Sequence, residues 1–200
     1  SDRFAEDVLE LQAYLAPAQP GQRIVAAPAT GTEVPLWILG SSHYGASLAG
    51  ELGLPYSFAS HFAPRMLLSA LEVYRDRFKP SEQQEQPYAM VGVNIIAAET
   101  DAEAQYLATS QQMSMVNLLR GDTGLLQPPI KDLSSYCSAT EQAQAMSMLS
   151  RSIIGSPETV RRGVDALLAE TAADELIIVS DLYDHSARLR SLELIAQTLM

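Results

Sequence analysis

Short apolar runs alternate with longer stretches of helical periodicity along most of this chain, and that alternation restricts the fold more than any other feature of the sequence. The runs Trp37-Ile38-Leu39, Tyr56-Ser57-Phe58-Ala59, "YAMVGVNIIAA" (88–98) and "ADELIIVSD" (173–181) are rich in residues that suit strands buried on both faces. Helical patterns follow each of them. "ASLAGELG" carries Leu48 and Leu52 and stops at Gly53. "HFAPRMLLSALEVYRDRF" places Pro64 in a first turn. "TDAEAQYLATSQQMSMVNLL" opens on Thr100 with Glu103 three residues later, the pattern of a capping box. "HSARLRSLELIAQTLM" closes the chain. Strands separated by helices pair in parallel through right-handed crossovers, so the chain is expected to be an α/β protein, with residues 1–200 as one domain. Ligands in such folds bind at the carboxyl ends of the strands.

Other segments fit around this frame. "SDRFAEDVLELQAYL" reads as an amphipathic helix with Phe4, Val8, Leu11 and Leu15 on one side and Glu6, Asp7 and Glu10 on the other. "RGDTGLLQPPIKDLSSYCS" has no periodicity, and Gly121 to Ser135 is a candidate lid or a disordered loop. "ATEQAQAMSMLSRSII" is expected to be one helix, and "GSPETVRRGVDALLAET" another, capped by Ser156 with Pro157 in its first turn. Trp37 and Met113, Met115, Met146 and Met148 are expected in the core.

Lys and Arg number 13 against 24 Asp and Glu, a net charge of −11 that disfavours nucleic acid and anionic lipid. No run is long and apolar enough for a bilayer, so a cytoplasmic protein is expected. Cys137 is the single cysteine and is expected to be inert, and His and Cys at metal-ligand spacing are missing, so no metal site is expected.

The three histidines, His43, His61 and His185, each fall just past an expected strand, on the side where chemistry is expected. His61 is the strongest of them, because Phe58 and Phe62 would shield it. The turn Gly40-Ser41-Ser42, with Gly45 beyond it, has the makings of an anion site at a helix N-terminus: Gly40 would permit a tight turn and Gly45 a close backbone approach. It is neither G-x-G-x-x-G nor a P-loop, and no G-x-S-x-G supplies a nucleophile. Asp184 reads as a helix cap and Asp181 as a turn residue, with Arg188 and Arg190 placed to pair with them.

"VPLWILGSSHYGASLAGELGLPYSFASHFAP", "YAMVGVNIIAAETDAEAQ", "IIGSPETVRRGVDALL" and "ADELIIVSDLYDHSARLRS" resemble, in order and spacing, the bacterial luciferase-like monooxygenases, flavin-dependent TIM-barrel oxidoreductases. The likeness runs over essentially the whole chain and covers strands five to eight of the family's eight-stranded barrel. It therefore implies a partial (β/α)8 TIM barrel, the C-terminal half, to be completed by a complementary half or by a homo-oligomer. It implies reduced FMN from a separate flavin reductase, reaction with O2, and oxygenation of a small organic substrate. Ser42, with the backbone around Gly40, Ser41 and Gly45, would hold the FMN phosphate, and Ser60 and His61 would lie at the isoalloxazine or substrate as catalytic residues. Alternatives are a deazaflavin-dependent oxidoreductase, or a non-catalytic flavin-binding scaffold.

Overall fold

A computed structural model describes residues 3–200; Ser1 and Asp2, the first two residues of the expected opening helix, lie outside the described residues. The sheet consists of β1 (Ile38–Gly40), β2 (Tyr56–Ala59), β3 (Ala89–Ala97), β4 (Ile153–Gly155) and β5 (Glu175–Val179). The helices are α1 (Phe4–Leu15), α2 (His43–Leu52), α3 (Leu67–Arg77), α4 (Asp101–Arg120), α5 (Ala139–Met148), α6 (Pro157–Thr171) and α7 (His185–Leu199). Every strand pairing is parallel: β1 with β2, β2 with β3, and β3 with both β5 and β4. The α/β reading of the sequence therefore holds.

Four of these strands are the expected ones, and β4 is an addition. The helix expected through Ile154 ends at Met148, and Ser152 N donates to Leu149 O (2.8 Å) in the turn that follows. Ile153 and Ile154 are β-branched, and the end of β3 offers them a partner: Ile95, Ile96 and Ala97 pair with Ile153, Ile154 and Gly155. A long-range pairing of three residues leaves no periodic signal in the sequence.

The two faces of the sheet differ. Tyr56, Phe58, Val91, Val93 and Ile95 point to the helices and build the main core with Ala46, Leu67, Leu71, Tyr74, Val160, Val164, Leu194 and Ile195. The other face carries Leu39, Ser57, Met90 and Glu175 in one register layer and Ala59, Gly92 and Ile177 in the next. Leu39 is 68% and Ile177 51% exposed, so neither β1 nor β5 is buried on both sides. Trp37 is likewise not a core residue; it is exposed and meets Tyr88 edge-on at 5.6 Å. On α1 only Val8 is buried, while Phe4 and Leu11 remain exposed.

A second small core lies under the irregular segment. Met113, Val116, Leu133, Cys137 and Ala145 are buried together, with Met115 and Met146 half-buried against them. Ile130 N donates to Thr109 Oγ1 (2.9 Å), which ties the far end of the loop to α4, while Leu125 near its middle is almost fully exposed. Thr100 Oγ1 accepts from Glu103 N at the start of α4, and the complete reciprocal capping box forms at α5 between Ser138 and Glu141.

Gly50 sets how closely α2 and α3 approach. A Cβ there would stand 2.7 Å from Tyr74 O and 3.1 Å from the Arg77 carbonyl carbon, both backbone atoms. Gly50→Ala should therefore force the helices apart and lower stability by about 1–3 kcal/mol, read as a fall in the urea midpoint. Glu141 is a second test. The Arg120 guanidinium first, and then the Ser138 backbone N–H, hold its carboxyl down at about 2. A depressed carboxyl contributes stability above its unfolded pKa, near 4.5, and loses that contribution as the pH falls through about 2. The stability gap between wild type and Glu141→Gln should accordingly be full at neutral pH and close across that acid window in a series of urea melts.

Candidate active site at the strand tips

The chain leaves β1 at Gly40, passes through Ser41 and enters α2 with Ser42 as N-cap, extended at φ −144° and ψ 165°. The Ser42 side chain makes no capping bond, so its hydroxyl and the first N–H groups of this ten-residue helix are free to face a ligand. Tyr56 Oη donates to Ser42 O at 3.2 Å from below. Burial pushes the Tyr56 phenol up, which keeps that donor protonated. The glycines are less constrained than expected. A Cβ on Gly40 would meet Gly45 Cα at 3.7 Å and Tyr56 Oη at 3.6 Å, and a Cβ on Gly45 would meet Gly40 Cα at 3.7 Å. These are ordinary contacts, so the packing of the chain itself requires glycine at neither position.

Ser60 and His61 follow β2 and are fastened to β3 by one carbonyl. Ser60 Oγ donates to Gly92 O at 2.6 Å, and His61 N donates to the same oxygen at 3.1 Å. Ser60 is fully buried and its hydroxyl proton is committed to that bond. The His61 ring lies over Gly92: a Cβ there would be 2.9 Å from Nδ1 and 3.0 Å from Cε1. His61 Nδ1 is buried without a hydrogen-bond partner.

Phe58 does not shield His61, because it turns into the helix-side core, and Phe62 is 68% exposed. The ring borders a cleft of about 260 Å³ whose other walls include Gln111, Ser114, Met115 and Leu118 of α4, Asp122 to Gly124 of the loop, Val179 at the end of β5 and Asp181 beyond it. Behind Gln111 stands Asn94 of β3, whose Nδ2 donates to Gln111 Oε1 at 2.7 Å. Both are buried, and Asn94 Oδ1 has no partner.

His43 and His185 do not line this cleft. His43 Nε2 is 2.8 Å from Ser69 Oγ, a link between α2 and α3, and His185 Nδ1 is 3.3 Å from an Arg188 nitrogen. Asp184 caps α7 by accepting from Ala187 N at 2.8 Å, as expected. The arginines pair elsewhere than expected: Arg190 with Glu99 (2.6 Å) and Glu193 (3.2 Å), not with Asp181 or Asp184. Cys137 is buried with Sγ 3.6 Å from Leu133 O. Among the described residues no group of three His, Cys, Asp or Glu could hold a metal ion, and no helix is long and apolar enough to cross a membrane.

Gly92, Asn94 and Gln111 were not among the expected site residues. A glycine and an asparagine inside "AMVGVNIIA" were the available signals, since glycine in a strand marks a close approach and a polar residue there needs a partner. Gln111 carried none, because it sits in the polar run Thr109-Ser110-Gln111-Gln112, where nothing in the sequence sets it apart from its neighbours.

A parallel sheet with α2, α3, α6 and α7 on one face and α4 crossing the end of the other, an N–H-rich turn at one strand tip and a polar cleft at the neighbouring tips defines a partial barrel of the (β/α) kind with a candidate ligand site on the carboxyl rim. Residues 6–175 match the profile of the luciferase-like monooxygenases, and the chain belongs to that family. A luciferase-like monooxygenase of Escherichia coli K12 is 47% identical over 193 residues, which are 96% of this chain and 58% of that protein. The chain thus spans less than two thirds of such relatives. The structure of apo-MsnO8 superposes with a TM-score of 0.81 at 30% identity, covering 99% of this chain and 60% of that one. At the level of fold alone, the chain resembles the oxygenating constituent of 3,6-diketocamphane monooxygenase from Pseudomonas putida in complex with FMN (TM-score 0.61, 19% identity, 99% of this chain and 62% of that one). It also resembles an F420-dependent secondary alcohol dehydrogenase (TM-score 0.60, 12% identity, 98% and 60%).

Gly92→Ala should displace the His61 ring and destabilise the protein by about 1–3 kcal/mol. The measurements are the urea midpoint and the His61 imidazole NMR resonances; unchanged values of both would contradict the contact.

Proposed function

We propose that this chain is the C-terminal half, strands five to eight, of a luciferase-like barrel that binds reduced FMN and oxygenates a small organic substrate with O2. The observation that carries the reading is the uncapped Ser42 hydroxyl at the head of α2, on the same rim as the His61 cleft, in a chain of this family. The donor set of the turn fits a phosphate: a free hydroxyl, unpaired first-turn N–H groups and the positive end of the helix dipole. The bound flavin supplies the oxygen chemistry.

The residues of the chain position and shield. Ser42 and the N–H groups near Gly45 hold the phosphate, while Tyr56 fixes the Ser42 carbonyl beneath it. Ser60, through Gly92 O, holds the segment that carries His61. His61 presents its ring along the cleft to the flavin ring or the substrate, and the wall from α4 and Asp122 to Gly124 keeps water from the reacting atoms. The open face bearing Leu39 and Ile177, together with the edges of β1 and β5, is covered by a complementary half or a second copy. A separate reductase in the cytoplasm supplies the reduced flavin.

The fold shared with an F420-dependent enzyme favours a second reading, in which the same turn holds a deazaflavin phosphate. Fluorescence titration separates them. FMN should bind the wild type, and Ser42→Ala should weaken it by about 1–2 kcal/mol, roughly tenfold. Binding of F420 but not FMN would select the deazaflavin reading, and binding of neither would leave a scaffold without cofactor. An unchanged FMN affinity in Ser42→Ala would remove the phosphate assignment.

A further inference from the structure

Asn94 and Gln111 are an anomaly that the fold does not require. Asn94 is 1% exposed on β3, between Val93 and Ile95, and Gln111 is 7% exposed on the helix that packs over it. Burying two carboxamides is unfavourable unless their hydrogen-bonding groups are used, and here only one bond joins them. Its direction matters. Asn94 Nδ2 gives its proton to Gln111 Oε1, which leaves the Gln111 amide nitrogen as the group presented where Gln111 lines the cleft. Asn94 Oδ1 and His61 Nδ1 are both buried without partners. One of these residues, His61, lines the cleft, and the other, Asn94, is bonded to Gln111, which also lines it.

The charge of the cleft is as specific as its hydrogen bonding. Its lining holds Asp122 and Asp181 and no Lys or Arg. A carboxylate or phosphate entering there would lose its hydration and face like charges without a counter-ion. An uncharged group with an acceptor oxygen would find the Gln111 N–H donors on one wall and the His61 ring on another.

We propose that Asn94 orients Gln111 as the substrate-recognition residue of this cleft, where it donates to a carbonyl or hydroxyl oxygen of an organic molecule, and that Asp122 and Asp181 make the cleft take the uncharged molecule over its anionic counterpart. This rests on the reading of the cleft as the substrate site of a flavin enzyme. Gln111 touches the ligand, while Asn94 acts through Gln111 and is a positioning residue. The role of Asn94 is to keep Gln111 Oε1 occupied, so that the carboxamide meets the ligand as a donor only.

Benzamide and benzoate make a matched pair of probes, alike in shape and differing in charge. In the intact protein, benzamide should shift the side-chain amide NMR signal of Gln111, and benzoate should bind at least tenfold more weakly. Gln111→Leu should lose benzamide at least tenfold. Asn94→Leu, which leaves Gln111 in place but frees its Oε1, should widen the preference for benzamide over benzoate, because the freed acceptor can take a benzamide N–H and repels a carboxylate. Asp181→Asn combined with Asp122→Asn should strengthen benzoate and leave benzamide unaltered. A Gln111 signal that does not move with benzamide, or benzoate binding as well as benzamide, would overturn the proposal, and the first of these is read on the wild type and does not depend on any variant folding. FMN binding without a benzamide response removes this inference alone, whereas a benzamide response without flavin binding removes the flavin reading and leaves the pocket.

Discussion

The register of β3 is the constraint from which the sheet, the core and the site all follow. This strand pairs with β2 through Ala89–Gly92, with β5 through Met90–Asn94 and with β4 through Ile95–Ala97. Because strand side chains alternate, Val91, Val93 and Ile95 enter the core under α2, α3, α6 and α7, while on the other face Gly92 lies under the His61 ring and Asn94 bonds Gln111. A slip of one residue would exchange the two sets and abolish both. Side chains pin the strand at its ends. Tyr74 Oη donates to Leu54 O and accepts from Tyr88 N, each at 3.0 Å, and Asp174 Oδ2 accepts from Ala89 N at 2.7 Å. At the other end Ala97 N donates to Ser191 Oγ of α7 at 2.9 Å.

From that register the rim divides into two regions of different polarity. At the tip of β1 the chain offers neutral donors and the positive end of α2, a setting for an anion. At the tips of β2, β3 and β5 it offers a carboxamide, an imidazole and two carboxylates, a setting that repels one. A ligand with a phosphate at one end and an uncharged ring system at the other suits such a rim in one orientation only. The overall charge of −11 gives no long-range attraction for a phosphate, so under the proposed function its capture would rest on the local N–H groups and the Ser42 hydroxyl.

The alternation of strands and helices was legible in the sequence because each buried run is bounded by a stop or cap that works locally: Gly53 in the left-handed conformation after α2, Thr100 before α4, Ser156 before α6, Asp184 before α7. Features that depend on distant partners were not. β4 exists because the end of β3 was unpaired, and nothing within Ile153–Gly155 announces that. Leu39 and Trp37 look like core residues, yet the face they occupy is open in this chain. The position of His61 beyond a strand could be read from the sequence. Its geometry could not, since it depends on Gly92, more than thirty residues away, lacking a side chain where the ring lies. Gln111 was invisible for the same reason: only the crossing of α4 over β3 makes one polar helix residue differ from its neighbours.

The open face and the cleft are physically coupled. Leu39 and Ile177 lie on the side of the sheet that carries Gly92 and Asn94, so whatever removes those two side chains from water also lowers the dielectric around the His61 ring and the Gln111 amide. In an open cleft a hydrogen bond from Gln111 competes with water and contributes about 1 kcal/mol; when the face is covered, leaving that donor unpaired costs about 1–3 kcal/mol instead. Discrimination between an uncharged ligand and its anion grows in the same way, because the repulsion from Asp122 and Asp181 is screened less as solvent leaves. Selectivity measured on this chain should therefore be a lower bound on that of the covered barrel. The residues that set it are already in place in the described structure, held by β3, α4 and the carbonyl of Gly92.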